Sequence, residues 1–171
     1  MSTTAPTIAR QIPHAFPAIL AGLTAGICDI TAAFITAGLR GVRPLRLLQT
    51  VASGLLGAKS FEGGWETAAL GAALHFLIAL SAAGIFYAAS RRWSFLTTRP
   101  VLSGVLYGIA VYLFMYWIVV PLSACRRGPF SITATIVAIV THIVCVGLPI
   151  SLIVRRYADH PSLTASKDAF V

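Results

Sequence analysis

The residues best suited to chemistry are one aspartate and two histidines that lie inside long apolar runs. Asp29 interrupts the first run, His75 the second and His142 the fourth, while the third carries Tyr112. A charged group inside a bilayer costs about 2.5 kcal/mol or more, so such residues face other protein groups and often mark ion or proton pathways. The pattern therefore predicts an intramembrane polar layer of Asp29, His75, Tyr112 and His142.

This polar layer has two interpretations that stay open. In the first, it handles protons: histidine titrates near neutral pH, and a buried aspartate can be raised toward that range, so Asp29 and a histidine could pass a proton during transport. In the second, it is a structural tie between helices, in which Asp29 accepts a hydrogen bond from a neutral imidazole and Tyr112 completes the network.

A third interpretation is haem ligation, with His75 and His142 as axial ligands in a four-helix bundle. The chain has no CxxCH attachment site, so such a haem would be of the non-covalent b type. A zinc site lacks a third convincing ligand beyond Asp29. We therefore expect no metal and no cofactor, and keep haem b as an alternative.

Other catalytic signatures are absent from the sequence. It contains no P-loop, no GxGxxG and no nucleophile elbow, so we expect a protein that is not an enzyme. The three cysteines, Cys28, Cys125 and Cys145, form no metal-ligand pattern, and we interpret them as small packing residues.

Composition identifies the environment that must position these residues. The chain has 171 residues, of which 11% are charged and 57% are hydrophobic, and its mean hydropathy is +0.85. Typical globular domains carry about 25% charged residues, so this chain cannot cover an ordinary water-facing surface. We predict an all-α polytopic membrane protein formed by a single domain, residues 1–171.

Four apolar runs predict four transmembrane helices. Each is 22 to 24 residues long, and about 20 helical residues cross the hydrocarbon core of a bilayer. A rise of 1.5 Å per residue puts the four polar-layer residues roughly 12 to 18 Å from the same membrane face. The predicted spans are 18–39, 67–89, 101–124 and 132–154, flanked by a flexible tail at 1–16 and a second tail at 155–171.

The loop after the first span contains a further predicted helix, 44–57. On a helical wheel its leucines, with Val51 and Ala52, cover one half, while Arg46, Gln49, Thr50, Ser53 and Gly54 cover the other. This segment is too short to span, and its two faces are separated, which favours an amphipathic helix lying in the headgroup plane. A re-entrant segment, or a short helix packed on the bundle, is the alternative.

Small residues predict how the helices meet. Interfaces between helices in lipid favour glycine, because it allows backbones to approach closely. Two GxxxG motifs indicate close packing of spans one and three, or dimerisation, and their glycines match at an offset of 82 residues. This repeat suggests two helical hairpins related by an axis along the membrane normal. The predicted packing glycines are Gly22, Gly26, Gly71, Gly104 and Gly108.

The net charge of +8 comes from arginines beside the apolar runs rather than from a nucleic-acid module. We expect them to contact anionic lipid headgroups, and we expect no nucleic acid. The side that carries both termini has seven basic residues against six on the other, which favours cytoplasmic termini. The terminal side carries Arg10, Arg91, Arg92, Arg99, Arg155, Arg156 and Lys167. The opposite side carries Arg40, Arg43, Arg46, Lys59, Arg126 and Arg127.

Several segments resemble a bacterial family of small inner-membrane proteins of unknown function. They are Leu48-Gln-Thr-Val-Ala-Ser-Gly-Leu-Leu-Gly57, Gly63-Gly-Trp-Glu-Thr-Ala-Ala-Leu-Gly71 with Leu74-His75-Phe76, and the stretch from Pro100 to Pro121-Leu-Ser123. The resemblance covers about two thirds of the chain and implies a bacterial plasma membrane and four helices, without functional residues. We expect a small transport or permeation module, or an accessory subunit of a larger membrane complex, with a homo-oligomer as a further possibility.

Overall fold

The computed structural model describes residues 15–125 and 130–158, which are α-helical throughout except for short connections. Four helices in this part are long and apolar enough to cross a membrane. They are α1 (Phe16–Gly38), α3 (Gly64–Ser90), α5 (Pro100–Leu122) and α6 (Ile132–Ala158). Two shorter helices, α2 (Pro44–Leu56) and α4 (Phe95–Thr98), lie in the connections. The predicted all-α membrane fold is confirmed.

The four long helices carry the exposed apolar surface of a multi-pass integral membrane protein. Large side chains such as Ile27, Ile35, Ile85 and Leu106 are more than half exposed on their outer faces. In water this surface would be unfavourable, whereas in a bilayer it contacts acyl chains. Helix α6 continues past the predicted end of its span through Arg155 and Arg156, because a helix can extend into the headgroup region where arginine is solvated.

The helices form two hairpins that glycine holds together. In the first, Gly22 and Gly26 of α1 face α3, so that a Cβ at either position would meet Leu80 or Phe76. In the second, Gly104 and Gly108 of α5 face α6. Each GxxxG motif therefore contacts the span that follows it in sequence. The repeat at an offset of 82 corresponds to the same packing role in both hairpins.

The second hairpin departs from regular α-helix in both of its members. A wider π-helical turn covers Met115–Val119 in α5, and another covers His142–Gly147 in α6. The turn in α5 ends two residues before Pro121, and the turn in α6 ends two residues before Pro149. Proline has no N–H, and its ring clashes with the carbonyl four residues earlier, which loosens the preceding turn. The prolines account for both widened turns.

Helix α2 is confirmed as a helix. Part of its polar face, which the prediction directed away from the apolar face and toward the headgroup region, is instead buried against the protein. Gln49 and Ser53 are buried, while Leu55 and Leu56 of the apolar face are exposed. The buried Gln49 amide donates to the carbonyl of Gly64 and to the Thr67 hydroxyl, so α2 is fastened to the start of α3 by its polar side. Its location in the headgroup plane stays a prediction.

Close backbone approach also holds α2 in place. A Cβ at Gly71 of α3 would collide with the carbonyl of Leu48, so this glycine packs against α2 rather than against another span. Gly41, which follows α1, and Gly57, which follows α2, both have positive φ angles, and they allow the chain to turn into and out of the helix. The end of α2 then reaches α5, where the Ala124 amide donates to the Gly54 carbonyl.

Candidate functional site: an intramembrane cleft

A cleft between α1 and α6 leads from one end of the bundle toward its middle. Its volume is about 680 Å³, and it extends from Arg40 and Ser131 at its rim to Asp29 and His142 at its floor. Seven of its twelve lining residues are polar, namely Asp29, Thr36, Arg40, Ser131, Thr133, Thr141 and His142. A membrane helix surface directed at lipid would not carry so many polar groups. The cleft is therefore a polar route to half the depth of α1.

The cleft exists because α6 packs on the bundle mainly through its C-terminal half. None of the residues in Ile132–Thr141 is buried, whereas Val146, Ile150 and Val154 farther along α6 are. The two halves meet at the widened turn that begins at His142. A π-helical turn changes the direction of a helix and often occurs at a functional site. Here it lets the first half of α6 diverge from α1.

Asp29 stands at the floor of the cleft and also lines a second, inner cavity. The inner cavity has a volume of about 130 Å³, and Asp29, His75 and His142 all border it. The structure thus brings three residues of the predicted layer around one space. Within residues 15–125 and 130–158, the Asp29 carboxyl has neither a hydrogen bond nor an ion pair. Its side chain is half-buried and borders both cavities.

His75 is held by the first hairpin rather than by Asp29. Its Nε2 lies 2.9 Å from the Gly26 carbonyl oxygen, so Nε2–H is the donor. In the neutral imidazole this leaves Nδ1 as an acceptor. The edge of the ring also meets Phe76, with centroids 5.4 Å apart. The predicted tie in which Asp29 accepts from an imidazole is not formed by His75, because Gly26 already provides its acceptor.

His142 is oriented from within its own helix. Its Nδ1 lies 2.8 Å from the carbonyl oxygen of Ala138, one turn earlier, so Nδ1–H is the donor and Nε2 is left without this bond. The ring packs edge-on against Tyr112 with centroids 5.6 Å apart. Both cavities are bordered by His142, which makes this imidazole, with Asp29, the boundary between them.

Tyr112 supports the site without lining it. Its ring is buried between His142 and Tyr116, and the two tyrosine rings are stacked with centroids 5.8 Å apart. Neither cavity includes Tyr112 among its lining residues. Of the four predicted polar-layer residues, three therefore surround the inner cavity, and Tyr112 positions one of them.

Two cysteines lie next to this site without lining its cavities. The Cys145 thiol of α6 lies beside the Cys28 thiol of α1 and near the Asp29 carboxyl. Both thiols are free. Their position follows from the helical repeat, since Cys28 adjoins Asp29 and Cys145 lies three residues after His142. The polar residues of the first half of α6 were also visible in the sequence, where Ser131, Thr133 and Thr141 precede or interrupt an apolar run.

The site does not fit a haem between His75 and His142. The inner cavity that both histidines border is about 130 Å³, well below the roughly 300 to 1,000 Å³ of typical small-molecule sites. In addition, the usual ligating atom Nε2 of His75 is engaged with the Gly26 carbonyl. Among the described residues, no group of three or more His, Cys, Asp or Glu side chains has a geometry that could hold a metal ion.

Comparisons of the chain with protein-family models, with curated proteins and with solved structures found no match. The resemblance to a bacterial inner-membrane family stays a prediction.

Proposed function

We propose that this protein is a small membrane transport module in which Asp29 binds and releases a proton through the cleft. One observation carries the proposal: the floor of the cleft is a carboxylate without a hydrogen-bond or ion-pair partner among the described residues, and the cleft opens it to water or solute from one end of the bundle. An aspartate that served only as a structural tie would have a protein partner, because leaving it unpaired in a low-dielectric site is costly.

The inner cavity supplies a continuation for the proton. Beyond Asp29 and His142 it reaches His75 and then Met115 of α5. His142 offers Nε2 and His75 offers Nδ1 when each imidazole is neutral, since their other nitrogens are bound to backbone carbonyls. Both histidines can thus accept a proton without breaking the hydrogen bond that orients them. A carboxylate and two such imidazoles around one space form a proton relay.

The setting that we propose is a bacterial inner membrane with both termini in the cytoplasm. The connection between α3 and α5 and the end of α6 lie on the terminal side and carry Arg91, Arg92, Arg99, Arg155 and Arg156. The opposite side carries Arg40, Arg43, Arg46 and Lys59, and the remaining predicted basic residues (Arg10, Arg126, Arg127 and Lys167) lie outside the described residues. The small excess supports cytoplasmic termini, and the cleft would then open away from the cytoplasm.

Proton flux into liposomes tests the role of Asp29. Purified protein is reconstituted with a pH-sensitive dye trapped inside, and a valinomycin-induced potassium potential, negative inside, drives proton entry. We expect wild-type protein to acidify the lumen faster than empty liposomes and Asp29→Asn to lose this excess. The matched control is Thr31→Val, because Thr31 lies two residues along α1, is exposed, and bonds only to its own helix at the Ile27 carbonyl.

A second measurement covers the case in which protons move only with a solute. Infrared difference spectra of the reconstituted protein should contain a carboxyl C=O band that shifts in D₂O, titrates with pH and disappears in Asp29→Asn. Two results together would support the structural tie between helices instead. Wild-type protein would show neither proton flux nor an exchangeable, titrating carboxyl band, and Asp29→Asn would unfold at a lower temperature than wild type.

A further inference from the structure

The cleft has the dimensions and charge of a ligand site as well as of a proton path. Its volume of about 680 Å³ falls within the range of about 300 to 1,000 Å³ that is typical of small-molecule sites. A proton or a file of water molecules needs far less space. The walls between rim and floor combine the threonines with small apolar residues, such as Ala33, Ala134 and Val137. This lining suits a ligand with an apolar body.

Of the described residues that line the cleft, Asp29 at its floor is the only anionic one. Asp29 has no cationic partner among the described residues, and its titratable neighbours are thiols and imidazoles. On its own helix the neighbour is Cys28, while α6 contributes His142 and Cys145 and α3 contributes His75. From α2 and α5 the inner cavity receives only apolar side chains, Val51, Val111 and Met115. A carboxylate in such surroundings attracts a cation.

Arg40 does not neutralise this site. It lies eleven residues along α1 from Asp29, which is roughly 16 Å at 1.5 Å per residue. Its Nε donates to the Thr36 carbonyl, so the guanidinium is folded over the end of its own helix. There it interacts favourably with the helix C-terminus. Among the described residues that line the cleft, Asp29 thus supplies a negative charge at the floor, while Arg40 lies at the rim, away from it.

We infer that the cleft binds a lipophilic monovalent cation, such as an ammonium ion with apolar substituents, in exchange for the proton on Asp29. The inference rests on the proposed function and names its substrate class. On binding, the O–H bond of the Asp29 carboxyl breaks and its proton leaves to solution, while the cation forms an ion pair with the carboxylate. Charge is conserved, because one cation replaces one proton. The apolar substituents lie against the alanine and valine walls.

A pair of ions with matched shape and opposite charge tests whether the cleft prefers a cation to an anion. Binding of radiolabelled tetraphenylphosphonium and tetraphenylborate to the purified protein is measured by equilibrium dialysis, with detergent alone subtracted. We expect saturable binding of the phosphonium and none of the borate. Asp29→Asn should weaken phosphonium binding at least about tenfold, which corresponds to about 1.4 kcal/mol at 25 °C, whereas Thr31→Val should leave it unchanged.

The exchange also predicts a pH dependence and a released proton. Since the proton competes for the carboxylate, phosphonium affinity should rise with pH up to the midpoint of the infrared carboxyl titration and then level off. In weakly buffered solution below that midpoint, each bound cation should release close to one proton. The series is repeated with His142→Gln and with His75→Gln, because both imidazoles border the same cavity as Asp29. The pH dependence should persist in both, and its loss in either variant would assign the exchanged proton to that imidazole instead.

The possible outcomes separate this inference from the proposed function. Binding of the borate in place of the phosphonium, or phosphonium binding that Asp29→Asn does not change, overturns the cation site. If the phosphonium fails to bind while proton flux or carboxyl exchange at Asp29 is observed, the transport module stands and its substrate is of another class. Phosphonium binding with proton release, but with no proton flux even when the phosphonium is present, supports the site and counts against transport.

Discussion

The two hairpins of this protein are built on the same glycine pattern but differ in how much freedom they leave to their helices. In the first hairpin, Gly26 of α1 accepts the Phe76 side chain of a regular helix, and Gly22 meets both the Cα and the side chain of Leu80. In the second, Gly104 and Gly108 of α5 meet backbone atoms of α6 directly, and a Cβ at Gly147 would in turn collide with the Gly104 carbonyl. Closer backbone contact therefore occurs in the hairpin whose helices contain the widened turns.

This difference explains where the cleft lies. The first hairpin is also fastened by α2, so α1 and α3 have little room to separate. The second hairpin is fixed tightly around Gly108 and Gly147, while the half of α6 before His142 is left without buried contacts. The rigid α1 wall supplies the carboxylate, and the diverging α6 wall supplies the opening.

The largest effect that we expect distinguishes the equivalent glycines Gly26 and Gly108. A Cβ at Gly108 would lie 2.6 Å from the Ile143 Cα and 2.7 Å from the His142 carbonyl oxygen, and backbone cannot move aside. At Gly26 the nearest atoms belong to the Phe76 ring, at 2.8 Å, and the ring can rotate. We expect Gly108→Ala to lower the free energy of unfolding by about 2–3 kcal/mol and Gly26→Ala by about 1 kcal/mol.

Denaturant titration in mixed micelles measures both values, with Gly84→Ala as the control. No heavy atom lies within 4 Å of a Cβ at Gly84 in the interior of α3, so alanine there should be neutral or stabilising by up to about 1 kcal/mol. Equal losses for Gly26→Ala and Gly108→Ala would show that the two hairpins are packed alike and would remove the contrast described above.

Sequence reasoning predicts the spans well because hydrocarbon imposes a simple rule on length and polarity. It also identifies Asp29, His75 and His142 as candidate site residues, because an ionisable side chain inside a bilayer costs free energy and is therefore rare within an apolar run. The cleft was not predicted, because it depends on the direction that α6 takes after a widened turn. Pro149 was a signal for that turn, as its ring disturbs the helix four residues earlier. The buried Gln49 face was missed because a helical wheel separates faces without identifying what each one meets.

A smaller effect tests whether α2 belongs to the first hairpin. The Gln49 amide is buried and donates to the Gly64 carbonyl at 3.1 Å and to the Thr67 hydroxyl at 3.4 Å. Gln49→Ala removes these bonds, and we expect it to cost about 1–2 kcal/mol. Hydrogen exchange should become faster in Pro44–Leu56 and at the start of α3, but not in α5 or α6.

The control for Gln49 is its exposed neighbour. Thr50 bonds to the Arg46 carbonyl of its own helix, so Thr50→Ala should change stability by no more than about 0.5 kcal/mol. If Gln49→Ala behaves like Thr50→Ala, the apolar face of α2 rather than its polar face holds the helix in place.

The smallest effect concerns the contact between the hairpins on the side away from the cleft. There the Tyr107 hydroxyl of α5 donates to the Ala82 carbonyl of α3 at 2.6 Å, and its ring meets the edge of Phe86. Hydrogen bonds between membrane helices average about 0.6 kcal/mol, so Tyr107→Phe should lower the free energy of unfolding by about that amount. Tyr87→Phe, which alters a tyrosine packed on the same apolar cluster, should have a smaller effect.

Because the hydrogen bond of Tyr107 lies between the hairpins, its loss should leave the effects of Gly26→Ala and Gly108→Ala unchanged, so that the changes in free energy add. Coupling between Tyr107→Phe and Gly108→Ala would show instead that the two hairpins move as one body, and the divergence of α6 would then need a cause outside the second hairpin.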